Sequence, residues 1–509
     1  MGRCFIKKGV FIKNAALLTA TSLILRFAGI IFKVWLSGKI GSEGIGLYQI
    51  VFSVYVLAST FATSGISTAV TRLCAEEIAR EKPQNCKHIL NRAISLTLII
   101  AAFSTVIIYF GANFIGTTLL GDSRTVSALK ILPLSLPFMA ISSCFRGYFI
   151  AKRKIIPNSI GQIVEQAARI VIIVSFISIF IKKGIAACCF GIILGDALAE
   201  AFGFLLLLLS YIVDIRALKK QRPEAIGGTL RKILHITVPI TSGRYLNSLL
   251  RTGENILVPK NLAKFPQSNQ NALSQFGMIK GMALPILFFP SAILNSVSTL
   301  LIPEISEAVT HQNRLVIKSA SEKIIKLTLL CGLFCGALFF VGGEKIGLLL
   351  YKSYDIGFLL KALSPIVPLM YLDSICDGIL KGLDQQGFTF KTAISDSIIR
   401  IILILVMLSK MGINGFILIM YFSNLFTCLL NVGRLVKISK AKILFFNDLC
   451  LPLISAFSVS FIINTLLGLL KIKNILVYII FLGVFSLVLY ILILSYLEII
   501  PKITLKRKK

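Results

Sequence analysis

Four cationic residues lie inside long apolar stretches with no acidic residue three or four positions away: Arg26, Lys33, Arg244 and Lys280. Arg26 and Lys33 are seven residues apart, and so are Arg244 and Arg251. On a helix, each of these pairs lies on one face, roughly 10 Å apart along the axis. Because the planar guanidinium group donates two parallel hydrogen bonds, arginine is well suited to bind phosphate. The pattern predicts that these five cations hold an anionic substrate.

A simpler interpretation is that acidic residues elsewhere in the chain neutralise these cations, with Asp196, Glu200 and Asp373 as the candidates. Arg251 has an acid nearby, since Glu254 follows it by three residues. A charged side chain at the centre of a membrane costs at least about 2.5–3.5 kcal/mol, so each cation needs either a partner or water. The sequence leaves both interpretations open.

Other embedded charges have partners at helical spacing and are interpreted as structural or gating residues. Glu165 precedes Arg169 by four residues, and Asp396 precedes Arg400 by four, so each helix can neutralise its own charge. Arg146 and Asp377 are expected either to pair with each other or to extend toward the membrane surface. The full set is Arg146, Glu165, Arg169, Glu254, Asp377, Asp396 and Arg400.

The sequence contains no recognisable catalytic machinery. Its only histidines, His88, His235 and His311, are not clustered. Walker, GxSxG, HExxH and CxxC motifs are all missing, and the 11 cysteines lie mostly in or beside apolar runs, as small buried residues do. The sequence therefore predicts no enzyme, no catalytic residue, no metal and no cofactor, and leaves any coupling ion undetermined.

The elements that carry these charges must be membrane helices. Of the 509 residues, 56% are hydrophobic and only 15% are charged, and the mean hydropathy is +0.87. About 20 apolar residues span a bilayer as a helix, and such runs recur along the whole chain. This excludes soluble enzymes and disordered scaffolds and predicts an all-α polytopic membrane protein. The fourteen predicted spans are 14–37, 47–71, 93–118, 126–150, 157–181, 185–211, 233–258, 275–302, 325–343, 358–380, 389–409, 413–433, 448–470 and 474–497.

In a membrane protein, a net charge of +32 indicates how the chain is oriented in the membrane. It does not indicate a nucleic-acid partner. With fourteen spans, both termini lie on one side of the membrane. Of the 54 Lys and Arg residues, 33 fall in the segments on that side and 13 in the opposite loops. Since Lys and Arg accumulate in cytoplasmic loops, both termini are predicted to be cytoplasmic.

The chain also contains an internal repeat at an offset of 231 residues. Segments 137–173 and 368–404 share eight identities in 37 positions, and the same offset matches Gly46 with Gly277. Each repeat holds six helices, so the two copies have the same orientation, related by an axis normal to the membrane. We predict an N-terminal lobe (1–211), a basic cytoplasmic linker (212–232), a C-terminal lobe (233–433), and two further helices with a basic tail (434–509).

Four segments resemble a known family: Gly41 through Gln49, Gly65 through Glu76, Pro137 through Phe149, and Gly378 through Gln386. They are similar to sporulation-type flippases in the polysaccharide-transporter branch of the multidrug/oligosaccharidyl-lipid/polysaccharide exporter superfamily. The resemblance covers essentially the whole chain, including the two helices beyond twelve. In related flippases, arginines of the first helix and of the second lobe line the cavity. Arg26 matches this role directly. The other candidates match it by lying in the second lobe at a similar depth in the membrane: Arg244, Arg251 and Lys280.

The resemblance implies a plasma-membrane flippase that moves an undecaprenyl-diphosphate saccharide, such as the peptidoglycan precursor, to the outer leaflet by alternating access. It also implies a sporulation role in spore cortex synthesis, with cell-wall synthesis proteins as partners. One alternative is a multidrug or cation antiporter of the same superfamily, for which Asp196, Glu200 and Asp373 would be the acids. A second alternative is a non-transporting scaffold for cell-wall enzymes.

Overall fold

The computed structural model describes residues 8–63, 65–216, 227–265, 269–310, 313–470, 472 and 474–499. Within these ranges the chain forms α-helices, short 3-10 and π-helical turns and connecting bends, with no β-strand. It divides into two compact units, with the boundary between Gly277 and Met278.

The first unit contains nine helices among its described residues. They are α1 (Lys8–Thr63), α2 (Ile66–Ala79), α3 (Cys86–Phe114), α4 (Val126–Ile131), α5 (Leu136–Ala151), α6 (Ile156–Ile181), α7 (Ile185–Arg216), α8 (Thr229–Leu262) and α9 (Asn269–Phe276). Packing therefore places α8 and α9 with the preceding helices. The division at Gly277 rests on contacts within the structure, whereas the predicted lobes rest on the sequence repeat. The predicted lobe boundaries therefore stay a prediction.

The second unit also contains nine helices among its described residues. They are α10 (Leu284–Phe288), α11 (Ser291–Thr310), α12 (Arg314–Tyr351), α13 (Tyr354–Leu363), α14 (Val367–Gly382), α15 (Gln386–Leu403), α16 (Ser409–Ser439), α17 (Leu451–Leu469) and α18 (Ile475–Tyr496).

Ten helical segments of the described chain are long and apolar enough to cross a membrane. Two of them each hold two predicted spans, because Thr19–Ala79 bends at Gly41 and Gln386–Ser439 bends at Gly412. The two remaining predicted spans are α8 and residues 275–302, which are helical but are outside those ten segments. All fourteen predicted spans thus fall on helices, and the all-α polytopic class is confirmed.

Glycine makes the sharp bends within the long helices possible. Gly41 has φ 71° and Gly412 has φ 56°, a region of backbone conformation that a side chain disfavours. At Gly41 the chain leaves the first half of α1 and starts the second half, residues 42–63. The two halves correspond to the first two predicted spans.

Each unit has its own apolar core. In the first unit, Leu90 of α3, Val70 of α2 and Phe149 of α5 are buried in one cluster. In the second unit, α17 and α18 pack on α12 through residues such as Ala337, Ala456 and Tyr490. The ten described cysteines are unpaired, and all are buried or half-buried, as the sequence predicted.

Some predicted features lie wholly or partly outside the described residues. Of the basic linker 212–232, residues 217–226 are not described, and of the C-terminal tail, residues 500–509 are not described. Residues 1–7 and Cys4 within them are also outside the described chain.

Candidate functional site

Helix α8 carries the Arg244–Arg251 ladder along one of its edges. Side chains of α8 that contact the second half of α1 include Tyr245, Ser248 and Thr252. At 100° per residue, Arg244 and Arg251 lie beside this contact face and within about 20° of each other. Both arginines are exposed. The ladder therefore borders the α1–α8 contact without being buried in it.

The two arginines of the ladder differ in their local partners. Arg244 makes no ion pair or hydrogen bond with any residue in the described ranges. The Nε atom of Arg251 donates a hydrogen bond to Asn247 Oδ1 at 2.9 Å. Arg251 thus has a neutral amide one turn earlier as its hydrogen-bond partner, Glu254 is buried, and the partial offset of Arg251 by Glu254 stays a prediction.

Arg26 and Lys33, in the first half of α1, also have no acidic partner among the described residues. Arg26 is exposed and Lys33 is half-buried, and neither makes an ion pair or hydrogen bond within the described part of the chain. Neutralisation of Arg26, Lys33 or Arg244 by Asp196, Glu200 or Asp373 is therefore not observed. These acids have other partners.

Lys280 belongs to the second unit, in the π-helical turn formed by Gly277–Ala283. It is half-buried, and its Nζ atom lies 5.8 Å from the centroid of the Phe416 ring. A cation at this distance from an aromatic face is attracted by the ring quadrupole. Lys280 therefore differs from Arg26 and Arg244, which have no such contact.

The acids of the first unit converge on Arg169 of α6. Arg169 Nε lies 2.9 Å from Asp196 Oδ1, and its Nη2 lies 3.1 Å from Glu165 Oε1 and 3.6 Å from Glu200 Oε1. Asp196 and Glu200 belong to α7 and are almost fully buried. The predicted i,i+4 pair is therefore present, and two further carboxylates from the neighbouring helix join it.

Two tyrosines complete this cluster from α1. Tyr48 Oη donates to Asp196 Oδ2 at 3.2 Å, and Tyr55 Oη donates to Glu200 Oε1 at 3.4 Å. Their contact with these acids was not predicted from the sequence, although their spacing of seven residues was a usable signal that both lie on one helix face. The cluster thus ties α1, α6 and α7 together.

Arg146 and Asp377 do not pair with each other. Arg146 Nη2 is 2.9 Å from Glu165 Oε2, whereas Asp377 Oδ2 is 2.5 Å from Lys381 Nζ on its own helix. Pairing was expected from their equivalent positions in the repeat. Each residue instead has an oppositely charged neighbour within its own unit, and the other expectation, extension toward the membrane surface, stays a prediction.

The second unit contains a smaller polar cluster at the equivalent place in the repeat. Arg400 Nη2 is 2.8 Å from Asp396 Oδ2, which confirms the predicted pair, and Ser423 donates to the other oxygen of Asp396 at 2.5 Å. Asp373 accepts a hydrogen bond from Asn431 Nδ2 at 2.7 Å. No group of three or more His, Cys, Asp or Glu residues in the described ranges is arranged to hold a metal ion.

The sequence matches the polysaccharide biosynthesis protein family over residues 11–309, more than half of its length, and the chain belongs to that family. Stage V sporulation protein B of Bacillus subtilis (strain 168) is 28% identical over 437 residues, covering 85% of this chain and 84% of that protein. The lipid II flippase MurJ of the same organism is 22% identical over 434 residues, covering 80% and 79%. The resemblance seen in the sequence is confirmed.

Solved structures of transporters have the same fold. A structure of lipid II flippase MurJ in an inward closed conformation aligns with a TM-score of 0.69 at 15% identity, covering 96% of this chain and 100% of that one. An inward-facing multidrug resistance MATE family transporter of the MOP superfamily aligns with a TM-score of 0.63 at 13% identity, covering 83% and 100%. The relatives and solved structures whose names state an activity are a flippase and a transporter, and none of them is named as an enzyme.

Proposed function

We propose that this protein is a flippase for a lipid-linked oligosaccharide whose diphosphate is bound by Arg26, Lys33, Arg244, Arg251 and Lys280. The observation that carries the proposal is that Arg26 and Arg244 are exposed and form no ion pair with a described residue, although both belong to predicted membrane spans. Such a charge needs water or an anionic ligand at that depth. A diphosphate provides the anion, and repeated-lobe transporters bind substrates near the midplane.

The proposal also covers the direction of transport, the location of the protein in the membrane and the identity of the substrate. Both termini face the cytoplasm of a plasma-membrane protein, and two six-helix lobes alternate their access to the two leaflets. Outward movement of a negative group is favourable by about 2.3 kcal/mol per charge per 100 mV across an inside-negative membrane. The proposed substrate is an undecaprenyl-diphosphate saccharide, such as the peptidoglycan precursor for spore cortex synthesis, with cell-wall synthesis proteins as partners. Similarity to a stage V sporulation protein and to a lipid II flippase supports a sporulation role and a lipid-linked substrate.

Replacing the arginines tests this site directly. We expect R26A and R244A to abolish translocation of a fluorescent undecaprenyl-diphosphate disaccharide in proteoliposomes, because the diphosphate loses its bidentate donors. Arg72, an exposed arginine paired with Glu76 at 3.2 Å, provides the matched control, and R72A should transport normally. Normal transport by both R26A and R244A, in properly inserted protein, would remove the proposed site.

The antiporter alternative has one structural feature in its favour, the buried acids Asp196 and Glu200. Cation antiport requires an acid that is free to bind and release its ligand, whereas these two are engaged by Arg169 and by tyrosine hydroxyls. Competition by organic cations, with no effect of the diphosphate lipid, would favour this alternative. A scaffold would tolerate loss of both Arg26 and Arg244.

A further inference from the structure

Residues 437–446, which we call the α16–α17 segment, contain the end of α16 and the chain that leads to α17. Three consecutive large apolar side chains are exposed there: Leu444, Phe445 and Phe446 are 59%, 70% and 63% exposed. In contact with water this exposure would be unfavourable, because each of these side chains presents a large apolar surface. Since they directly precede the apolar helix α17, they belong at the level where the acyl chains of a bilayer meet its headgroups.

The same segment carries three exposed lysines, Lys437, Lys440 and Lys442. None of the three side chains forms an ion pair or a hydrogen bond with another residue in the described part of the chain. Three positive charges without a partner in the protein therefore lie within a few residues of three exposed apolar side chains.

Two acidic side chains lie next to the segment, and both bind its backbone. Glu322 of α12 accepts a hydrogen bond from the Lys442 amide at 2.8 Å. Asp448 accepts one from the Leu444 amide at 2.9 Å, and its other carboxylate oxygen lies 3.3 Å from Lys326 Nζ of α12. These contacts hold the main chain against α12 while the lysine side chains of the segment stay exposed. The acids therefore shape the segment without pairing with its lysines.

We infer that the α16–α17 segment binds anionic phospholipids of the leaflet on the predicted cytoplasmic side. The three apolar side chains insert among the acyl chains, and the three lysines bind the phosphate groups above them. An apolar surface bordered by lysines is typical of segments that lie in the membrane interface. Each lysine near an anionic surface strengthens binding by about fivefold. This site goes beyond the proposed function, because it is separate from the proposed substrate cations and does not require transport.

The position of the apolar side chains favours a lipid over an acidic protein as the partner. A protein bound at the membrane surface would match the charge of the lysines but would leave Phe445 and Phe446, beside α17, without a partner. A phospholipid matches both groups, because its phosphate and its acyl chains are covalently joined and lie at these two depths.

Quenching by brominated lipids tests this site locally. Trp35 is the only tryptophan of the chain, so the fluorescence of a W35F/F446W variant comes from the segment alone. The full-length variant is reconstituted into vesicles of phosphatidylcholine and phosphatidylglycerol, with bromine on the acyl chains of one lipid or the other. At low salt we expect a preference for phosphatidylglycerol of at least about fivefold. Sodium chloride should weaken this preference, because salt screens exposed charges.

Two triple variants in the W35F/F446W background separate the lysines of the segment from the overall charge of the protein. K437Q/K440Q/K442Q should lower the preference to about one, while quenching by brominated phosphatidylcholine persists because the apolar side chains stay in the bilayer. K182Q/K183Q/K410Q removes the same charge from exposed lysines that are predicted to lie on the opposite side of the membrane. This matched control should keep the full preference for phosphatidylglycerol.

Either of two results would overturn the inference. Absence of quenching by both brominated lipids would show that the segment lies outside the bilayer. An unchanged preference in K437Q/K440Q/K442Q would show that other groups bind the anionic lipid. Because fluorescence is measured and not translocation, both results are independent of whether R26A and R244A transport the substrate.

Discussion

At the scale of single residues, the charged side chains divide into those held in ion pairs and those proposed to bind the substrate. Arg169 has three carboxylates within 3.6 Å, and two of them, Asp196 and Glu200, are almost fully buried. Arg244 has none among the described residues. A buried acid deprived of its partner is strongly destabilising, whereas an exposed arginine contributes little to folding. The two kinds of arginine should therefore respond differently to substitution.

We expect R169L to destabilise the protein by about 3–5 kcal/mol, because it leaves Asp196, Glu165 and Glu200 without their shared counter-charge. Thermal unfolding in detergent, followed by the loss of a monodisperse gel-filtration peak, measures the change. R244L should shift the unfolding midpoint little. Equal midpoints for R169L and wild type would show that the cluster is not a structural anchor.

At the scale of the helices, ion pairs join neighbouring elements on the side that carries the predicted cytoplasmic loops. Asp214 near the end of α7 binds Lys152 at 2.6 Å and Lys154 at 2.5 Å, and it accepts a hydrogen bond from Tyr148 at 2.7 Å. These contacts fasten the turn between α5 and α6 to α7. Only four residues, 152–155, lie between the end of α5 and the start of α6.

The D214N variant should lower stability by about 2–3 kcal/mol, since it weakens two charge-assisted bonds and one hydrogen bond to a buried carboxylate. D377N is the matched control, because Asp377 pairs with Lys381 on its own helix and should contribute about 0.5 kcal/mol. The unfolding midpoints of both variants in the same detergent provide the comparison. A larger loss in D377N than in D214N would contradict this account.

At the scale of the whole molecule, orientation follows from the number of spans and the distribution of cations. The described chain carries ten apolar helical segments, two of which bend into two spans each, together with α8 and the helical residues 275–302. An even number of crossings returns the C-terminus to the side of the N-terminus. From the 33 to 13 asymmetry of Lys and Arg we predict that this side is the cytoplasm.

Reporter fusions test this orientation. Green fluorescent protein fused at either terminus should fluoresce, and alkaline phosphatase fused in the loop between α17 and α18 should be active, because only the latter faces the oxidising side. Active phosphatase at the C-terminus would reverse the assignment. An odd number of spans would give fluorescence at one terminus only.

The sequence by itself determined the membrane-spanning segments, since hydropathy depends on local composition, and it located the local pairs Glu165–Arg169 and Asp396–Arg400, whose partners are one turn apart. Only the tertiary structure decided the contacts between helices. It placed Arg146 against Glu165 and brought Asp196 to Arg169, because such contacts depend on which helix faces pack together. The Gly46–Gly277 contact has the same origin. The repeat identified the two residues as equivalent, but their contact required the packing of α1 against the chain that follows α9.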